Sequence, residues 1–521
     1  QRIYKLFKIT IIMMSGEYKV FVRESTGLVR SAGFWDAVSI NIANMSIGAA
    51  LATIGFTLAA LPTVAGANLV YASLIAALFA IPQVIVYSTL IRYIPRVGGD
   101  YVWLGRALGQ KLAWLTNGLV FGFIIESLTY YALIAFAAVF QLESVLPILG
   151  VNISLTPIQE VGIGIAFFAV IVLANILGTK YGIKLMTVLT TVSLLGLIIA
   201  MAMLFIMPKV QVINTVSSLL PTGYTYLGVS HSYSGPFFSM TTILMLLPFF
   251  AIYVYPWLNA GPAIATEIKG KNALHWNVPM AFLFSLVFLT LGFEAMYYSL
   301  GFNFVTAALS NPNLNGIINF WTVAMVVSHN AVLSWFIGIA SVVWYLAVLA
   351  YGAIVVVRYW FALAFDRVWP SFFAYVSPRF GTPIYAHITD LAITAALIAA
   401  AGFLYNTFTA LYGAVVEAVI YYMVVGVAAL IIATLRYSSF NMSSRSRAVL
   451  TIFGALMVGV MAYITYEFLA YPQIWGGNWL AYGVELGAVI LGIVVYLLSR
   501  YVNLKRYGID ISVAYTEIPP E

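Results

Sequence analysis

The 521-residue chain has no cysteine, only 4 histidines and only 8% charged residues. Without cysteine there is no disulfide, no haem attachment and no thiolate metal site. Four scattered histidines are too few for an imidazole metal cluster, so neither a metal nor a cofactor is expected. A soluble domain carries about 25% charged residues, and a water-soluble globule with a third of that could not cover its surface. The sequence also lacks a Walker loop, an HExxH helix and a Gly-x-Ser-x-Gly elbow, so it reads as a protein that is not an enzyme.

Apolar residues make up 63% of the chain, in runs spread over its whole length, and the mean hydropathy is +0.99. These features imply an integral membrane protein. Windows of about 20 residues, the length needed to span a bilayer, pick out twelve segments. They fall near 34–62, 68–92, 110–141, 157–178, 183–207, 240–266, 276–303, 331–361, 383–405, 407–435, 447–470 and 480–500. An even number puts both ends on one side. Sorting the connections into two sets leaves 23 of the 24 Lys and Arg residues on the side of the termini and only Lys209 on the other. Positive charge stays cytoplasmic, so both termini are expected inside, at the plasma membrane. The pI near 9.2 then follows from topology, and no nucleic-acid partner is needed.

The expected organisation is a cytoplasmic N-terminal segment (1–33), five spans (34–207), an outside loop (208–239), five more spans (240–435), two last spans (447–500) and a cytoplasmic tail (501–521). The outside connections 208–239 and 304–330 read as loops, and the acidic end Glu517–Glu521 as a disordered tail. Ile9–Ile12 is too short for a signal-peptide core.

Two spans carry breakers in mid-membrane. In the first, Asn41, Asn44, Ser46 and Gly48 cluster; in the sixth, Pro256, Asn259, Gly261 and Pro262 do. Proline removes a backbone donor and clashes with the preceding turn. Irregular backbone at membrane depth is tolerated only where it faces protein or a cavity. First and sixth are corresponding positions if the chain repeats after five spans. Five is odd, so such repeats have opposite orientations, and paired breaks point to a transporter's substrate site. Pro82 in the second span reads as a packing kink.

Three stretches carry a resemblance to a known family. They are Pro95-Arg96-Val97-Gly98-Gly99-Asp100-Tyr101-Val102-Trp103, continuing to Ala107-Leu108-Gly109; Asn175-Ile176-Leu177-Gly178-Thr179-Lys180-Tyr181-Gly182; and Arg358 to Pro370 followed by Ser377-Pro378-Arg379-Phe380-Gly381-Thr382-Pro383. From about Gly33 to Tyr501 the chain resembles the amino-acid permeases of the amino acid–polyamine–organocation superfamily. The resemblance implies an all-α, leucine-transporter-type fold: two inverted five-helix repeats plus two C-terminal helices, with spans one and six discontinuous. It further implies secondary active transport of amino acids by alternating access. Ser46, Ile47 and Gly48 would then bind the substrate carboxylate through backbone N–H groups, as a half-helix N-terminus favours an anion. The carbonyls of Ala251, Ile252 and Tyr253 would take the α-ammonium, and Tyr253, Tyr255 and Trp257 would wall the side chain. The sequence departs from the family's pattern at Ser46, where a glycine is usual, and at Val254, which replaces another. Ser193 stands where some proton-coupled relatives hold a lysine.

Ionisable groups inside a membrane are costly and default to functional candidates. Glu126 and Glu417 are the proton-coupling candidates; Glu294 and Asp390 read as neutral structural carboxyls. Ser193 and Ser341 are cation-site candidates should sodium replace the proton. Asp36 reads as a helix cap, while Arg358, Asp366, Arg367 and Arg379 read as topology determinants and inner-gate ion pairs. His231 and His329 belong to outside loops. The expected partners are an amino acid, a coupling proton and membrane lipid. An amino-acid or polyamine exchanger, a sodium-coupled permease and a non-transporting membrane scaffold subunit remain the alternatives.

Overall fold

The computed structural model describes Phe21, residues 25–28 and residues 30–520. Arg2, Lys5, Lys8, Ile9–Ile12, Lys19, Arg23 and Glu521 lie outside the described residues. Among the described residues, eleven helices are long and apolar enough to cross a membrane: Phe34–Ala60, Leu69–Tyr93, Gln110–Val145, Pro157–Ile176, Thr179–Ile206, Lys271–Leu300, Ala331–Phe365, Ile384–Tyr405, Phe408–Thr434, Ser444–Ala470 and Trp479–Tyr507. Between the fifth and sixth of these lies a shorter apolar helix, Met240–Tyr253. It takes the place of the expected window 240–266 and is counted below as the sixth span. No strand occurs among the described residues; Ala32 and Ile268 make one isolated bridge.

The spans divide by burial. The most apolar windows of the third and eighth are 94% and 83% buried within the protein, those of the fourth and eleventh only 33% and 28%. The first span's window is 89% buried, so the first, third and eighth spans form the centre. The others turn apolar residues such as Leu78, Val170, Ile452 and Leu486 outward, where hydrocarbon is as good a neighbour as protein.

Both expected interruptions are present. The first span runs helical over Phe34–Asn44, breaks at Met45 and Ser46, and resumes over Ile47–Ala60. In the sixth, helix Leu247–Tyr253 ends when the amides of Val254 and Tyr255 both donate to the Phe250 carbonyl, at 2.8 and 2.7 Å. Pro256 has no N–H with which to continue the ladder, and helix returns only as the single turn Ala260–Ala263. Pro82, by contrast, sits inside the unbroken helix Leu69–Tyr93. Asp36 accepts the Gly33 amide at 2.9 Å, as a first-turn cap, and also the Thr187 hydroxyl at 2.6 Å.

Two expectations need correction. The outside connections are not plain loops: they carry helices Lys209–Ser217, Tyr226–His231, Phe302–Ser310 and Phe320–Val327. Side-chain caps from Thr225 and Asn319 begin two of them. The C-terminal end is not a disordered tail either. Ile511–Thr516 forms a 3-10 helix whose Ile511, Ser512, Ala514 and Tyr515 are fully buried, and the Glu517 and Pro519 carbonyls accept from Arg106 Nε and Arg96 Nε at 2.8 and 2.7 Å. Composition missed this because the anchors are main-chain carbonyls and one tyrosine, not a hydrophobic run.

Candidate functional site

The two broken spans face each other. Asn41, at the end of the first half-helix, accepts the Gly261 amide on Oδ1 at 2.9 Å and donates to Asn277 Oδ1 at 2.8 Å. It thereby caps the start of the helical turn beyond the sixth-span break. Asn44 donates to Asn259 Oδ1 at 3.0 Å, joining break to break. Gly261 admits this arrangement only because it has no side chain: a Cβ there would collide with Asn277 and Asn41.

In the first break the Ser46 and Ile47 amides turn back to the Asn44 and Met45 carbonyls, at 3.1 and 2.6 Å. The amides of Gly48 and Ala49 follow in the first turn of Ile47–Ala60, where helical geometry supplies no acceptor. Gly48 is pressed on Trp344, whose ring a Cβ would meet at 2.5 Å, and its carbonyl accepts from Trp321 Nε1 at 2.9 Å.

In the sixth break the Ala251 and Ile252 carbonyls both accept from the indole Nε1–H of Trp257, at 2.9 and 3.0 Å. The Trp257 ring stacks on Tyr130 of the third span, with centroids 4.7 Å apart and planes at 22°. The Tyr130 hydroxyl meets Ser46 Oγ at 2.8 Å, so Tyr130 bridges the two breaks. The Tyr253 hydroxyl meets that of Tyr412 at 3.0 Å. Tyr255 points elsewhere: it lines a small cavity with Ala76, Phe79 and Met461 of the second and eleventh spans and stands apart from the Trp257–Tyr130 stack. One to two turns outward of Gly48, a cavity of about 650 Å³ opens between Thr53, Phe56, Gln141, Asn315, Tyr345 and Phe408.

The carboxyls separate. Glu126 is fully buried with both oxygens lacking a hydrogen-bond partner among the described residues. Glu417 is buried with Oε1 against Gly122, one turn before Glu126, where a Cβ would come within 2.6 Å. A third carboxyl, Glu485 of the twelfth span, joins them; its Oε1 accepts from Thr129 of the third span at 3.2 Å. Glu485 escaped sequence reasoning because it lies near the edge of the 480–500 window; a depth count from Trp479 finds it. Asp390 is buried beside Thr394, at 3.4 Å, whereas Glu294 is exposed on the outer face of its helix rather than bonded within the bundle. Of the two serines, Ser193 is buried without a hydrogen-bond partner among the described residues, and Ser341 donates to the Gly338 carbonyl at 2.7 Å and accepts from Gln141 at 2.9 Å.

The ion pairs expected at the inner gate form with partners the sequence did not name. Arg358 makes a two-pronged pair with Glu267, both links at 2.8 Å, and Arg106 one with Asp366, at 2.9 and 3.2 Å. Tyr101 also donates to Asp366, at 2.6 Å. Arg379 lies over the ring of Phe380, and Arg367 Nη2 donates to the Phe21 carbonyl at 3.4 Å. His231 and His329 are exposed, the latter 3.0 Å from the Thr215 hydroxyl.

Paired helix breaks behind an open cavity, in a bundle of apolar helices, define a membrane transport protein. A family model described as amino acid permease matches residues 33–495, and the chain belongs to that family. Over 101 residues the chain is 33% identical to "Uncharacterized protein 399" of Sulfolobus islandicus rod-shaped virus 1; the match covers 18% of this chain and 25% of the viral protein, so the chain spans about a quarter of that relative's length.

Proposed function

We propose that the protein moves amino acids across the plasma membrane by alternating access, as a proton symporter with both termini in the cytoplasm. The carrying observation is the juxtaposition of the two breaks, locked by Asn44 to Asn259 and bridged by Tyr130. The amides at Gly48 and Ala49 present donors to a carboxylate, with Ser46 and Ile47 shaping the turn. The Ala251 and Ile252 carbonyls, next to Tyr253, form the seat for an α-ammonium once Trp257 has withdrawn its N–H. Trp257 and Tyr130 then wall the substrate side chain; Tyr255 acts behind the break. On this reading spans one to five and six to ten are the inverted repeats, and the last two spans flank them.

Glu126 and Glu417 serve as the coupling carboxyls. Each is buried, and among the described residues neither forms a salt bridge. A lone carboxylate is expensive in a medium of low dielectric, so its charge state follows its access to water. The Ser193 and Ser341 sites would matter only under sodium coupling. Uptake of labelled amino acids into proteoliposomes, under an imposed pH gradient and then a sodium gradient, tests the reading. Accumulation is expected with the proton gradient alone and is lost in Glu126→Gln. Uptake indifferent to both gradients would sink the symport mechanism.

A further inference from the structure

Asp100 opens the short helix Asp100–Leu108, in the connection between the second and third spans. Its carboxyl is fully buried, and three tyrosine hydroxyls from three spans donate to it. Tyr87 of the second span reaches Oδ2 at 2.6 Å; Tyr359 of the eighth and Tyr421 of the tenth reach Oδ1 at 2.6 and 3.1 Å. The Tyr359 hydroxyl in turn accepts from Asn259 Nδ2 at 3.0 Å, and Asn259 Oδ1 accepts from Asn44 at 3.0 Å and from Tyr422 at 2.9 Å. Asp100 is thus the cytoplasmic end of a continuous polar chain that starts at both helix breaks.

The groups around it are all accounted for among the described residues. Tyr87, Tyr359, Tyr421 and Tyr422 face it from the second, eighth and tenth spans. The third span offers the Phe123 ring, stacked on Tyr421 at 4.3 Å. Glu417, one turn from Tyr421, turns to Gly122. On its own helix Tyr101 and Arg106 are engaged with Asp366, and the C-terminal Tyr515 meets Tyr101; Arg358 is closed on Glu267. Asp100 therefore has hydroxyl partners, the Tyr101 amide and, among the described residues, no cation.

Burial pushes the Asp100 carboxyl up to about 6, and the three hydroxyls hold it back from rising further. Once hydrated, the same carboxyl returns to about 3.9. Protons favour whichever state has the higher affinity for them. Here that is the closed state, so closure is favoured at low pH and loses ground as pH rises between the two values.

We propose that Asp100 is a proton-controlled latch on the cytoplasmic gate: neutral, it holds the second, eighth and tenth spans together, and its ionisation drives the gate to open and hydrate. The proton leaves its carboxyl for cytoplasmic water as the gate opens. One of the three hydroxyls turns from donor to acceptor while the acid is neutral. The latch deepens the symport reading and rests on it for which face is cytoplasmic, but it is measurable without substrate.

The absence of native cysteine supplies the test. Thr266, beside Glu267, is buried with a hydroxyl that lacks a hydrogen-bond partner among the described residues, so Thr266→Cys places a single reporter at the gate. Maleimide labelling of the detergent-solubilised full chain is followed from pH 4.5 to 8. Each rate is divided by that of the unfolded chain, which removes the thiol's own ionisation. The normalised rate should rise tens of fold up to about pH 6 and then level off. Asp100→Asn should abolish the rise. Tyr421→Phe removes a donor that favours the ionised form while keeping the ring on Phe123, and should carry the rise beyond pH 6. A flat profile with Asp100 intact, or an unchanged one in Asp100→Asn, overturns the latch. Should Asp100→Asn fail to fold, an unmoved plateau in Tyr421→Phe overturns it alone. Lost amino-acid uptake with an intact profile sinks the transport reading and leaves the latch standing; uptake with a flat profile does the reverse.

Discussion

The two ends of the helix bundle are closed by different means. The end that holds Arg106 and Arg358 is sealed by two buried ion pairs, the tyrosine-held Asp100 and the packed C-terminal segment. The opposite end holds the cavity of about 650 Å³, walled mainly by aromatic, amide and hydroxyl side chains. A strong lock can be built where arginines and carboxylates are buried together. An end starved of arginine must close with aromatic and amide surfaces, which part at lower cost. The arrangement is that of a carrier sealed on one side and accessible from the other.

That contrast can be broken at its strongest point. Arg358→Met leaves Glu267 charged and alone in a buried place, and such a loss costs about 3–5 kcal/mol. Thermal unfolding in detergent should show a correspondingly large fall in Tm, and an unchanged Tm would mean that the pair is not what closes this end. Next in size is Tyr515→Ala. It empties the space beneath Gly105 and removes the hydroxyl that meets Asn117 Nδ2 at 2.6 Å and Tyr101 at 3.1 Å. A loss of about 3 kcal/mol is expected, read as faster hydrogen exchange over residues 99–108.

Trp257→Phe sharpens the comparison from the middle of the membrane. It keeps the ring on Tyr130 but frees two carbonyls, each an unmet acceptor costing about 1–3 kcal/mol. Part of that cost is relieved when an ammonium arrives, so the amino-acid Kd should fall about tenfold, or about 1.4 kcal/mol. Equilibrium binding of a labelled amino acid checks this; weaker binding would show that the indole supports the substrate instead of yielding to it. The smallest effect belongs to Arg500 and Asp510, an exposed pair at 2.7 Å. The Arg500 guanidinium holds the Asp510 carboxyl down at about 2. Its contribution is therefore complete above the ordinary carboxyl value of about 3.9 and fades as pH falls toward 2. For a solvated pair it amounts to about 0.2–1 kcal/mol. Arg500→Ala should lower Tm by that small amount at neutral pH and make no difference near pH 2, so the melting curves of the two proteins converge in acid.

Much of the fold was legible because lipid imposes a simple rule, about 20 apolar residues per crossing, and because breakers stand out against it. Pro256 and the Ser46–Gly48 stretch marked the interruptions for that reason. The contents of the site were less legible. Residue type shows that Trp257 is near the break, but only folding shows its N–H turned back on Ala251 and Ile252. Asn44, Asn259, Tyr130 and Glu485 find their partners across 84 to 356 positions of chain, a separation that no local pattern encodes. Arg358 was recognised as gate material, whereas its partner Glu267 was not, since a carboxyl at the end of a broken span has no periodicity to announce it. The C-terminal segment was misjudged because acidic and proline-rich composition says nothing about carbonyls waiting for arginines.

The indole that fills the proposed ammonium seat carries a consequence for slippage. A carrier whose resting oxygens are already satisfied offers little to a stray inorganic cation, which would have to evict Trp257 without a carboxylate of its own to hold the neighbouring half-helix. Only a molecule with both ends of a zwitterion gains enough on each side to make that exchange. Under the proposed symport, idle cycling should therefore be rare and the gradient conserved while no cargo is present.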